Sequence, residues 1–76
     1  MSNTQELKRQ MVLDHYISKG ARKGELYEFF KPHSRRTVYE EILDVLTTAR
    51  NIKKPEADRV LTLKGSEVEL LQERLG

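Results

Sequence analysis

The stretch GELYEFFKPHSRRTVYEEILDVLTTAR, Gly24 to Arg50, holds two apolar patterns separated by a short break. Leu26, Phe29 and Phe30 lie at helical spacing ahead of Pro32, which lacks a donor N–H and pushes Lys31 out of helical geometry. Ser34 then offers a side-chain oxygen to cap a second helix. From there Val38, Ile42, Val45, Leu46 and Ala49 recur at i, i+4, i+7, i+8 and i+11, the strongest periodicity in the chain. The opposite side carries Arg36, Glu40, Asp44 and Thr47, and Asn51 is a residue that tolerates a left-handed stop. The pattern predicts a helix opening near Gly24, a tight turn, and a longer helix over about residues 35–49.

Upstream, Asn3 and Glu6 have the spacing of a capping box ahead of Leu7, Met11, Leu13, Tyr16 and Ile17. Lys19 suits a last turn and Gly20 a stop, so a first helix is expected over roughly residues 4–18. Ala21-Arg22-Lys23 reads as a connector or a bridge of one or two residues. Downstream, Ile52-Lys53-Lys54, Pro55-Glu56-Ala57-Asp58 and Arg59-Val60-Leu61-Thr62-Leu63 read as strand, four-residue turn and strand. One hairpin is marginal alone and must lie against the helices. Thr62 or Ser66 can cap a last helix through Val68, Leu70, Leu71 and Leu75. The expected fold is mainly α with a small β-hairpin, in the order helix-helix-helix-strand-strand-helix, as one domain over residues 1–76.

Composition narrows the function. The chain has 76 residues, is 37% hydrophobic and contains no Cys, so disulfides, thiolate zinc sites and cysteine nucleophiles are all excluded. His15 and His33 do not make a metal site, and no apolar run approaches the ~20 residues of a membrane span. Met1-Ser2-Asn3-Thr4-Gln5-Glu6 has neither the basic nor the apolar region of a signal peptide. Asp14-His15 and His33-Ser34 are chain neighbours whose side chains diverge by about 100° on a helix, not a triad, and Gly20-x-x-x-Gly24 lacks the Lys-Ser/Thr of a phosphate loop. A soluble, cytoplasmic binding module is expected, without catalytic residues, metal, cofactor, membrane contact or small-molecule ligand. The net charge of +2 is unevenly distributed: residues 19–36 carry +4 and 50–64 carry +3, whereas 37–49 carry −3. Residues 65–76 carry −2 as well, and two basic segments beside two acidic ones suit either a polyanion-binding face or an ordinary solvated surface.

Two short motifs sharpen this. Leu61-Thr62-Leu63-Lys64-Gly65 resembles the Leu-Thr-x-Lys-Gly that closes the wing of many prokaryotic winged-helix regulators, including the MarR, ArsR and PadR types. Ser34-x-x-Thr37-Val38 is similar to the start of their recognition helices. The resemblance spans about residues 5–75. It departs at Arg50-Asn51, where those families usually have Gly, and in lacking their added dimerisation helices. Small regulators encoded by plasmids and viruses, archaeal ones among them, are similar in length and in lacking a sensor domain.

The resemblance implies a winged helix-turn-helix that binds double-stranded DNA at specific sites and regulates transcription, as a repressor occluding promoters in the nucleoid. The 35–49 helix would enter the major groove and the 52–63 wing would lie on the flanking backbone or minor groove. Arg35, Arg36, Tyr39 and Glu40 are then the base-reading candidates: Arg donates two parallel bonds to guanine, Glu accepts from cytosine, and Tyr39 contacts a thymine methyl or a phosphate. Lys23, Lys31, His33, Ser34, Lys53, Lys54 and Arg59 are the phosphate or wing candidates. Ser34 also suits a cap alone, wing lysines also guard a strand edge, and Glu41 and Asp44 suit salt bridges. One reading helix covers few base pairs, so two copies per DNA site are expected, with Leu70, Leu71, Leu75, Met11 or Tyr16 as candidate self-contacts. The alternatives are a winged-helix module that binds another protein without sequence-specific DNA binding, and non-specific packaging, for which +2 is a low charge.

Overall fold

The computed structural model describes residues 3–76, with side chains from Glu6 onward. Its elements follow in the order α1 (Asn3–Lys19), β1 (Ala21–Arg22), α2 (Lys23–Phe29), α3 (Arg35–Arg50), α4 (Lys54–Arg59), β2 (Thr62–Leu63) and α5 (Gly65–Leu75). The expected Asn3–Glu6 box involves a side chain outside the described residues. Gly20 ends α1 at φ +89°, with its N–H bonded to the Tyr16 carbonyl at 2.7 Å. Its Cα faces the Leu63 carbonyl so closely that a β-carbon would lie 2.6 Å from that oxygen. The chain passes directly into β1, which pairs antiparallel with β2, Ala21 opposite Leu63 and Arg22 opposite Thr62. Ser34 caps α3 by accepting from the Thr37 N–H at 3.2 Å, and Asn51 closes it in the left-handed region. The molecule is mainly helical with one small antiparallel sheet.

The expected hairpin over residues 52–63 is not present. Lys54–Arg59 is helical, and β2 pairs with β1 across the chain instead of with Ile52-Lys53-Lys54. Pro55 is the reason. It reads as a turn residue, yet in the first turn of a helix its missing N–H has no intrahelical acceptor to lose. Glu56 in that turn and Arg59 in the last both complement the helix dipole, and Ala57 between them is fully buried. The Val60-Leu61 remainder stays outside the sheet, with Leu61 among the most exposed apolar residues.

A single core gathers Leu13, Ala21, Leu26, Phe30, Val38, Ile42, Val45, Leu46, Ala57, Leu63, Val68 and Leu71. The stripes expected on α2 and α3 are largely this core, except Ala49, which is exposed at the end of α3, where Arg50 folds inward instead. On α1 only the C-terminal half is covered. The 17 residues of α1 span about 25 Å, whereas the 11 residues of α5 that pack on it span about 16 Å. Leu13, Tyr16 and Ile17 therefore reach the core, while Leu7 and Met11 are 65% and 70% exposed.

Neither Thr62 nor Ser66 caps α5: Thr62 belongs to β2 and Ser66 to the first turn. Lys64 holds the cap position, its N–H donating to Glu67 Oε1 at 2.8 Å. Arg50 completes this corner. Its guanidinium donates to both Glu67 oxygens at 2.7 and 2.8 Å and to the Thr62 carbonyl at 3.3 Å. Glu67 is 3% exposed, and Arg50 together with the Lys64 N–H holds its carboxyl below the usual range despite burial. Gly65 meets the backbone of Ile17 directly; a β-carbon there would collide with its carbonyl oxygen.

Candidate nucleic-acid interface

The first turn of α3 contains no acidic residue, and Pro32 brings it back beside α2. A cleft of about 580 Å³ opens between α2, the turn, α3 and the end of α4, lined by Lys23, Tyr27, Lys31, His33, Arg35, Tyr39 and two carboxylates, Glu28 and Asp58. Five of the eleven residues named from the sequence thus meet in one place: Lys23, Lys31, His33, Arg35 and Tyr39.

Their partners differentiate them. The Arg35 guanidinium lies over the Tyr27 ring at 4.8 Å, and among the described residues no carboxylate is in ion-pair range. This cation–π contact holds the guanidinium over the ring without using its N–H donors, which are left for an external acceptor. Lys31 pairs with Glu28 at 2.9 Å across an exposed i, i+3 step, a contact worth about 0–1 kcal/mol and readily exchanged. His33 Nε2 meets the Leu75 carbonyl at 2.9 Å, which requires its proton on that nitrogen.

Lys23 is committed elsewhere. Half-buried, it donates from Nζ to the Ala57 and Asp58 carbonyls at 3.0 and 3.2 Å and lies 5.9 Å from the Tyr39 ring centre. Burial lowers its ammonium from the ordinary lysine value, with the Asp58 charge partly opposing the shift. The Tyr39 hydroxyl donates to the Asp58 carboxylate, which raises the phenol's pKa. Lys23 and Tyr39 therefore tie the C-terminal end of α4 to α2 and α3.

The remaining candidates lie outside the cleft. Arg36 is exposed and pairs with Glu40 at 3.3 Å, so the two residues expected to read different bases face one another. Ser34 is a cap, bonded to Thr37 through both its N–H and its hydroxyl. Lys54 lies beside Glu40, Leu43 and Asp44 in a second, smaller depression of about 160 Å³. Lys53, Lys54 and Arg59 are exposed at the ends of α4, not along a ribbon. Arg74 from α5 pairs with Glu41 at 3.4 Å and with Asp44, giving both acids salt-bridge roles.

Tyr27 and Asp58 escaped the sequence reading. Tyr27 sits between core positions on α2 and is brought under Arg35 only by the turn, and the sequence pattern puts Asp58 in the turn of a hairpin, away from the cleft. Among the candidate self-contacts, Leu71 is fully buried and Tyr16 packs edge-on against Phe29 at 5.8 Å, whereas Met11 is exposed and Leu70 is 41% exposed. Among the described residues no helix is long and apolar enough to cross a membrane. Comparison of the chain with protein-family models, characterised proteins and solved structures finds no match.

Proposed function

We propose that this chain is a helix-turn-helix protein that binds double-stranded DNA at specific sites and regulates transcription, as a repressor occluding a promoter. The observation that carries the reading is Arg35: a cation with no carboxylate in ion-pair range among the described residues, lying over Tyr27 at the start of α3 beside Lys31 and His33. Two arginines at a helix N-terminus oppose the helix dipole, so their placement favours an external anion. The fold is then a winged-helix core, β1-α2-α3-β2-α5, in which α4 occupies the place of the wing. The first turn of α3 enters the major groove, and Lys31, His33 and the α4 cations meet phosphates.

Selection of bound sequences from a random duplex pool, followed by footprinting, tests specificity directly. Arg35→Ala is expected to weaken binding to the selected site by about 1–3 kcal/mol and relax preference at one or two positions. A log–log plot of affinity against salt should fall linearly. Equal affinity for selected and random duplexes overturns site-specific regulation. Two copies per site are expected, with Met11 and Leu70 as the accessible contacts.

The exposed Leu7 and Met11 favour a second reading, a module that docks on another protein through α1. Under that reading Arg35→Ala leaves partner binding unchanged and footprinting shows no preferred site.

A further inference from the structure

Two carboxylates line the cationic cleft, and they are not equivalent. Glu28 is paired with Lys31 at 2.9 Å. Asp58 has no cation in ion-pair range among the described residues; its carboxylate instead accepts from the Tyr39 hydroxyl at the cleft wall. Lys23 Nζ donates to the backbone carbonyls of Ala57 and Asp58, which fixes the end of α4 beside the cleft and leaves the carboxylate itself held by Tyr39. An anionic oxygen bound by a phenol hydroxyl beside an ammonium group has the same donors around it as a nucleic-acid phosphate oxygen would. We infer that Asp58 is an internal competitor for backbone phosphate: its carboxylate holds the acceptor position at the Tyr39 hydroxyl, and a strand entering the cleft must displace it.

The inference rests on the cleft being the nucleic-acid face. The geometry makes the exchange feasible. Asp58 is exposed, and α4 has only six residues, anchored in the core by Ala57 alone. Releasing the carboxylate costs one exposed hydrogen bond and leaves the core intact. While it stays, its charge opposes an incoming phosphate at close range, where salt screens little. Once it leaves, the Tyr39 hydroxyl is free to turn to the phosphate.

The test measures affinity of the full chain for a mixed-sequence DNA duplex of about two helical turns at one fixed salt concentration. Asp58→Ala is compared with Glu56→Ala, which removes an equal charge two residues away on the same helix but does not line the cleft. Circular dichroism verifies that each variant is folded. Asp58→Ala is expected to tighten binding roughly tenfold, and Glu56→Ala no more than about twofold. Adding Tyr39→Phe to Asp58→Ala should abolish most of the gain, because the freed hydroxyl is its source. Equal effects of Asp58→Ala and Glu56→Ala, or a gain that survives Tyr39→Phe, overturn the competitor role. Arg35→Ala measured in parallel separates the two claims: if it leaves affinity unchanged, the cleft is not the nucleic-acid face, whereas if it weakens binding and Asp58→Ala does nothing special, only the competitor falls.

Discussion

At the residue scale the sharpest contrast is between the charges that were legible and the partners that were not. Arg35 and Arg36 are adjacent and look interchangeable, yet one lies over Tyr27 with no carboxylate in range among the described residues and the other faces Glu40. An i, i+4 pair such as Arg36–Glu40 can be foreseen from spacing, but a stack between residues on different helices depends on how the turn folds. Arg50 and Glu67 make the same point more strongly, since they sit 17 positions apart and form a bidentate pair around a nearly buried carboxylate. Arg50→Ala leaves that carboxylate without its main partner and should destabilise the fold by about 2–4 kcal/mol in urea titrations. The pH dependence has a definite sign. Because Arg50 lowers the Glu67 pKa, this contribution is complete above the ordinary carboxylate range and is lost as pH falls through the lowered folded value. The stability advantage of the wild type over Glu67→Gln should therefore be full at neutral pH and shrink in acid. An advantage that is flat or grows on acidification would refute the assignment.

Among the elements, α2, the turn after it and α3 were legible because each local signal agreed with its neighbours: the apolar spacing, Pro32, the Ser34 cap and the Asn51 stop all point the same way. The 52–63 segment was not, since Pro55 is equally at home in a turn and in the first turn of a helix. The burial of Ala57 in the core adds a tertiary reason for the helix that no local signal carries. The Lys64-Gly65 step has a physical reason too. With no side chain, Gly65 lets the start of α5 rest on the Ile17 backbone of α1, and a carbonyl cannot swing aside as a flexible side chain does. Gly65→Ala should cost about 3 kcal/mol, the upper end of overpacking penalties, and lower the thermal midpoint accordingly. Gly24→Ala, where a β-carbon meets nothing within 4 Å, is the matched control and should leave stability almost unchanged.

On the scale of the whole molecule, the segmental charges take on different meanings once folded. The acidic stretch over 37–49 is partly neutralised by Arg74 and Arg36, so α3 does not present a row of bare carboxylates. The two basic segments divide between structural ties, Lys23 and Arg50, and outward charges, Arg35, Lys53, Lys54 and Arg59. Sequence periodicity placed the α1 helix and the Leu13, Tyr16 and Ile17 part of its stripe, but could not show that the helix outruns its support at Leu7 and Met11, because the length of the facing helix is a tertiary property. That overhang gives α1 two unlike halves. Peptide hydrogens in its unsupported turns, near Leu7 to Gln10, should trade with heavy water at nearly unprotected rates, while those from Tyr16 to Gly20 resist until the whole domain opens. One continuous rod would then show a steep gradient of deuterium uptake along its length, and a bound partner seated on Leu7 and Met11 would be visible as the flattening of that gradient.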